Sequence, residues 1–227
     1  MLSSNGEKTQ EHSLTLSKQQ RQSLESALAG YQDQLKDDDD AQAYLSQTRG
    51  LSAAKQAYFR LGVVNEPIVG HEMYRGRIVI PYVTRAGVVG MKFRDQTGQA
   101  NAKYLNLPRQ AARIFNPEAF FSDKPYIAIS EGEIDAMTAH SRALPTVGMP
   151  GVSSWQEWFT RPFDGYECIY VLADNNDKGQ GSQFAEEIAD RLDNVRITPM
   201  PDGHDVNSYV KDHGHDALLS RLGISQT

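Results

Sequence analysis

From Tyr126 onward the chain alternates between short apolar runs and amphipathic stretches, and this rhythm restricts the fold more than any other feature. YIAIS (126–130), PTVGM (145–149), YECIYVLA (166–173) and VRITPM (195–200) read as strands. Between and after them, EGEIDAMTAHSRA (131–143), SSWQEWF (153–159), GSQFAEEIADRL (181–192), NSYVKDHG (207–214) and HDALLSRLG (215–223) read as helices. Alternating β and α segments predict an α/β protein whose parallel sheet is covered by helices on both faces.

The segments upstream differ in kind. RIVIPYVT (77–84) and VVGMKFR (88–94) are β-rich runs joined by Arg85-Ala86-Gly87, a hairpin pattern, and KYLN (103–106) predicts a further short strand. Before them, Leu16, Leu24, Leu28 and Tyr31 repeat at helical spacing, with Ser17 as N-cap and Gly30 near the end. Asp37–Asp40 is expected to be a solvated, helix-starting acidic turn, because adjacent side chains diverge too much to share one ion. AQAYLSQTRGLSAAKQAYFRLGVV (41–64) predicts two short helices broken at Arg49-Gly50, the second capped by Ser52 and ended by Gly62. Residues 1–13 are polar, aperiodic and without the apolar core of a signal peptide, so a disordered tail is expected.

In open parallel sheets, ligands gather beyond the carboxyl ends of the strands. Acidic groups stand at three such ends: Glu131-Gly132-x-x-Asp135, then Asp174-Asn175-Asn176-Asp177-Lys178-Gly179, then Asp205 and Asn207 after Gly203-His204. Carboxylates sharing one rim repel each other unless a cation neutralises them. A set of oxygen donors selects a hard ion, so Mg²⁺ or Mn²⁺ is the expected cofactor. The net charge of −6 hides a strong asymmetry. Residues 75–114 carry +7, and the rest of the chain −13. A basic strip facing an acidic rim suits a phosphate-bearing ligand held together with a cation. Trp155 and Trp158 are read as packing residues, Cys168 as inert, His204 as a solvated loop histidine, and His213 and His215 as no metal ligands. One cysteine and no apolar stretch of membrane-spanning length point to a cytoplasmic protein with no membrane partner.

Glu131-Gly132-x-x-Asp135 followed by Asp174-x-Asn176-x-x-Gly179 resembles the Toprim motif pair, EGxxD then DxDxxG. The basic hairpin followed by Lys103-Tyr104-Leu105-Asn106 resembles the RNA polymerase core of bacterial-type DNA primases, and Asp202-Gly203-x-Asp205-x-Asn207 resembles its third acidic motif. YLSQTRGLSAAKQAYFRLG (44–62) is similar to the helical portion that precedes that core, and the wording of the second motif is similar to tailed-phage primases. The resemblance covers about residues 44–222. It implies a helical region over 14–62, a basic β-rich subdomain over 63–124, a Toprim domain over 125–200, and a third acidic motif with terminal helices over 201–227.

The resemblance implies DNA-directed RNA primer synthesis from NTPs on single-stranded DNA. It assigns Glu131, Asp174 and Asp205 to catalysis and metal binding, with Asn176 and Asp177 as further ligands. It assigns Asp135 and Asn207 to orienting those ligands, and Gly132 and Gly179 to the motif turns. Arg77, Arg94, Lys103, Tyr104 and Asn106 are assigned to nucleotide or template. Two positions depart from the pattern: Asn176 stands where the family has its second motif aspartate and Asn207 where many members have one, and an amide offers an oxygen but no charge. The zinc-binding template module and a helicase domain are not in this chain, which makes both candidate partners. A Toprim-type nuclease and a non-catalytic nucleic-acid-binding replisome subunit stay open as alternatives.

Overall fold

The computed structural model describes residues 16–151, 154–175 and 180–225. The expected tail over 1–13 lies outside the described residues. Helix α1 (Lys18–Lys36) starts at a capping box: Ser17 Oγ accepts from the Gln20 amide, and Gln20 Oε1 accepts from the Ser17 amide. It runs through Gly30, which does not end it. The buried face of Ala27, Leu28, Tyr31 and Leu35 continues past the glycine, and tertiary packing carries the helix on. The acidic run starts α2 (Asp39–Ala43), with Asp38 accepting from the Ala41 amide, and a π-helical turn follows over Tyr44–Thr48. The chain breaks at Arg49-Gly50, where Gly50 takes φ 64°, and α3 (Ala53–Tyr58) follows with Ser52 as its cap. Gly62 does not end α3; Arg60, at φ 54°, makes that turn. Gly62 lies instead in strand β1 (Gly62–Val63), where a Cβ would come within 2.8 Å of the Tyr31 carbonyl carbon. Its missing side chain lets α1 pack on the sheet.

Strands β1, β2 (Ile78–Thr84), β3 (Gly87–Arg94) and β4 (Tyr104–Asn106) form an antiparallel sheet in that order. Its register decides where the basic residues go. Ile78 pairs with Arg94, Ile80 with Lys92 and Tyr82 with Gly90, while Arg94 pairs with Tyr104. Alternation then separates two faces. Val79, Met91 and Phe93 pack under α1, while Ile78, Ile80, Tyr82, Lys92, Arg94 and Tyr104 share the opposite face.

The second sheet is parallel, ordered β6 (Thr146–Gly148), β5 (Tyr126–Ser130), β7 (Cys168–Ala173) and β8 (Val195–Pro199). Ile127, Ile129, Ile169 and Val171 face α5 (Gln180–Ala189) through Phe184, Ala185 and Ile188. Ala128, Tyr170 and Leu172 face the other way, toward α6 (Val206–His213) and α7 (His215–Leu222). Helices therefore cover both faces, as the alternation of segments predicts. The β6 edge is closed by Phe115, which exchanges both backbone hydrogen bonds with Gly148.

Helix α4 (Glu133–Ala139) is shorter than the sequence suggests, because His140 turns the chain to extended geometry. It is wedged between the two sheets: Ile134, Ala136 and Met137 pack with Ile78, Ile80 and Tyr82, whereas Ala139 joins the core under the parallel sheet. The segment around Trp155 and Trp158 forms 3₁₀ turns in its described part, with Phe159 as the fully buried anchor. His204 is half-buried, against the rings of Tyr209 and His213, with Nε2 3.5 Å from Asp212. Among the described residues, no helix is long and apolar enough to cross a membrane.

Candidate active site

A cleft of about 340 Å³ opens between the carboxyl ends of the parallel strands and the Lys92–Arg94–Tyr104 face of the antiparallel sheet. Glu131, Gly132 and Asp135 line it from the β5–α4 junction, Asp174 from the end of β7, and Asp205 from the start of α6. Arg49, Lys92, Arg94, Lys103 and Tyr104 line the facing wall. Five carboxylates, with Glu133 the fifth, are separated by up to 74 residues in sequence and share one opening with four cations.

The acidic rim is held by backbone donors. Asp135 Oδ1 accepts from the Asn207 amide at 2.9 Å, and Asp174 accepts from the Val206 amide. Asp205 caps α6, its Oδ1 taking the Ser208 amide at 2.6 Å. The second and third acidic loops are also stapled directly. Asn175 and His204 form a β-bridge, and the Asn175 side chain donates to Asp202 at 2.8 Å. These bonds do not offset the crowding of charge. Burial and the neighbouring Asp174 and Asp205 push the Asp135 carboxyl up to about 8. Burial, Asp205 and Glu131 push Asp174 up to about 6, and burial raises Glu131.

The wall is built differently. Arg94 is almost fully buried; its Nε donates to the Tyr44 hydroxyl at 2.5 Å and its Nη1 to the Tyr104 hydroxyl. Arg49 Nε donates to the same Tyr44 oxygen at 3.0 Å. Lys92, Arg94 and Lys103 surround the Tyr104 ring at 4.7, 5.0 and 5.7 Å from its centroid. Lys92 donates at 2.8 Å to the buried Glu133.

Some residues named from the sequence lie elsewhere. Arg77 does not reach the cleft; it is buried and donates to the Ala102 carbonyl at 2.9 Å, tying β2 to the approach of β4. Asn106 is exposed outside the cleft, with its carbonyl taken by the Tyr74 hydroxyl. Asn207 is buried behind the cleft, its Nδ2 donating to the Arg49 carbonyl at 2.7 Å and to Thr138 Oγ1 at 2.8 Å. Asn176, Asp177 and Gly179 lie outside the described residues. Arg49, Lys92, Glu133 and Gly181 join the neighbourhood without having been singled out by any motif. Gly181 is required by close approach, since a Cβ there would overlap the Asp174 backbone carbonyl. Lys92 carried one legible signal, a charge at the alternation position of Arg94 within an otherwise apolar strand.

The donors facing the cleft from its acidic side are carboxylate oxygens, and among the described residues no His or Cys lines it. That set fits a hard divalent cation. Among the described residues no three such side chains lie together as a ready-made metal site.

The family model for Toprim-like proteins matches residues 128–210. Gene 57 protein of Mycobacterium phage D29 is 40% identical over 155 residues, which make up 66% of this chain and 100% of that protein. The RNA polymerase domain of Mycobacterium tuberculosis primase DnaG superposes with a TM-score of 0.72 at 20% identity, covering 91% of this chain and 84% of that one. The primase fragment of the Bacteriophage T7 primase-helicase protein gives 0.59 at 21% identity, covering 78% and 72%. Fold and cleft together define a Toprim-bearing protein with the architecture of a bacterial-type primase catalytic core. Within that class, the chain belongs to the phage family of Gene 57 protein.

Proposed function

We propose that this protein is a DNA-directed RNA polymerase of the primase type, joining NTPs on a single-stranded DNA template. The observation that carries this reading is the single cleft in which Glu131, Asp174 and Asp205 face Lys92, Arg94 and Lys103. In the reaction, a 3′-hydroxyl attacks the α-phosphate of an incoming NTP. The new O–P bond forms as the bond to pyrophosphate breaks, and the hydroxyl proton is released.

Each side of the cleft has a share. Glu131, Asp174 and Asp205 would hold Mg²⁺ or Mn²⁺, with Asp135 and the Asn207 amide keeping the rim in place. The bound ion supplies charge neutralisation at the phosphates and acidification of the hydroxyl. Asn176 and Asp177 are proposed as further ligands on the second acidic loop. Lys103 and Arg94 bind phosphate oxygens on the wall, and Tyr104 shapes the groove with its ring. The basic segment 63–124 supplies this wall, 125–200 and 201–227 supply the rim, and 14–62 closes the side through Arg49. A separate template-reading zinc module and a replicative helicase are proposed partners, in keeping with the likeness to a primase-helicase fragment. Phage DNA replication in the host cytoplasm is the proposed setting.

The test is incubation of the purified protein with single-stranded DNA, labelled NTPs and Mg²⁺. Short RNA products are expected. Nicked DNA would instead identify a nuclease, and binding with no chemistry a non-catalytic subunit.

A further inference from the structure

Lys92 is the cleft cation with the most specific support behind it. Its partner Glu133 has a side chain only 5% exposed, while that of Lys92 keeps 22%. Glu133 Oε1 accepts from Lys92 Nζ at 2.8 Å and from the Tyr82 hydroxyl at 2.5 Å. Burying a carboxylate is costly unless it is paired and hydrogen-bonded. A surface-reaching lysine could find carboxylates in water, so burial of this one serves to hold the ammonium at a fixed place. Tyr82 lies across the strand pair on the same face and fixes the carboxylate from behind. The Tyr104 ring, 4.7 Å away, flanks the ammonium.

The ammonium has three N–H donors. Among the described residues, Glu133 is its one hydrogen-bond acceptor, and Lys92 lines the same cleft as Glu131, Asp174 and Asp205. A donor held by a buried anion, ringed by an aromatic face and open toward the cleft, suits an anionic oxygen arriving from the cleft side. A phosphate there completes the coordination without displacing Glu133.

We infer that Lys92 is a further substrate-binding residue, donating to the triphosphate of the incoming nucleotide, and that Glu133, fixed by Tyr82, is its positioning residue. The substrate part of this inference rests on the polymerase reading; the anion site itself does not.

Binding of inorganic triphosphate, measured calorimetrically with and without Mg²⁺, separates the two. Lys92→Gln alone strands a buried carboxylate and risks the fold, so the decisive variant is the Lys92→Gln/Glu133→Gln pair, which keeps shape and hydrogen bonds while removing both charges. It should bind triphosphate about tenfold more weakly, as expected for loss of a charge-assisted hydrogen bond. Glu133→Gln should weaken binding about threefold, with the loss in primer synthesis falling in KM for NTP more than in kcat. Unchanged triphosphate affinity in the paired variant, with a cooperative thermal transition retained, overturns the inference. Weakened triphosphate binding in a protein that makes no primers overturns the polymerase reading and leaves the anion site standing.

Discussion

The two sides of the cleft are charged in opposite ways and are also prepared in opposite ways. On the acidic side, burial and neighbouring carboxylates raise the proton affinity of Asp135 and Asp174, which are held by backbone donors. On the basic side, Arg94 and Lys92 are already matched to hydroxyls and a carboxylate before any substrate arrives. The rim is therefore a strained set of charges whose relief is a cation, and the wall is a preset scaffold whose addition is an anion. Stability, pH dependence and mutational response should differ between the two accordingly.

The largest effect should come from the rim. Glu131→Gln removes a proposed cation ligand and should lower primer synthesis by at least about 100-fold, the scale of losing charge stabilisation at a reacting centre. Single-stranded DNA binding, and its dependence on salt, should stay near wild type, because no phosphate contact is touched. Near-normal synthesis in that variant would remove Glu131 from the chemistry.

Next comes a change between the two sides. Asn207 gives both amide hydrogens away, to the Arg49 carbonyl and to Thr138 Oγ1. The Thr138 hydroxyl donates its own proton to the Ile134 carbonyl, so its oxygen has to accept. Asparagine at this position is thus a structural requirement. Asn207→Asp should cost about 3 kcal/mol of unfolding free energy in denaturant titrations, since a buried carboxylate would face two acceptors. A neutral or stabilising result would mean that the position still serves as an acidic motif residue.

A smaller effect, of opposite sign, tests the strain at the rim. Asp174 has a folded pKa of about 6, above its ordinary 3.8, so its contribution to stability is full at low pH and is lost as pH rises through about 6. Without divalent ions, Asp174→Asn should be the more stable protein at pH 7 by about 2 kcal/mol, and the advantage should shrink toward pH 4. Mg²⁺ should narrow the gap by stabilising the wild type. A pH-independent difference would show that the carboxylates do not feel one another.

The smallest effect belongs to an outer cation. Lys103 is exposed and has no ion-pair partner among the described residues. Lys103→Ala should raise KM for NTP, or Kd for template, by about threefold to tenfold in titrations at fixed salt.

These two sides were also unequally legible in the sequence. The rim could be read because strand order and the strand-end rule bring Glu131, Asp174 and Asp205 together whatever the details of packing. The wall depends on register, which the sequence does not print. Arg77 and Arg94 look alike in RIVIPYVT and VVGMKFR, yet pairing Ile78 with Arg94 sends Arg94 to the cleft face and leaves Arg77 to hold the Ala102 carbonyl. KYLN likewise splits, with Tyr104 in the cleft and Asn106 outside it. Glu133 was hidden by its position inside an acidic motif, where a third carboxylate looks like more of the same. Helix ends misled for a related reason: Gly30 and Gly62 carry the usual terminating residue, but one lies on a helix held by its buried face and the other makes room for that helix.

Helix α4 gives the cleft one mechanical property that neither sheet has alone. Glu133 and Asp135 leave the same first turn, one joined to Lys92 and the other to the start of α6. Whatever occupies either side pulls on a single rigid body, so ligands for the two sides should report on each other reciprocally: a nucleotide that tightens the grip on a cation must itself be gripped more tightly when that cation is present, by the same factor.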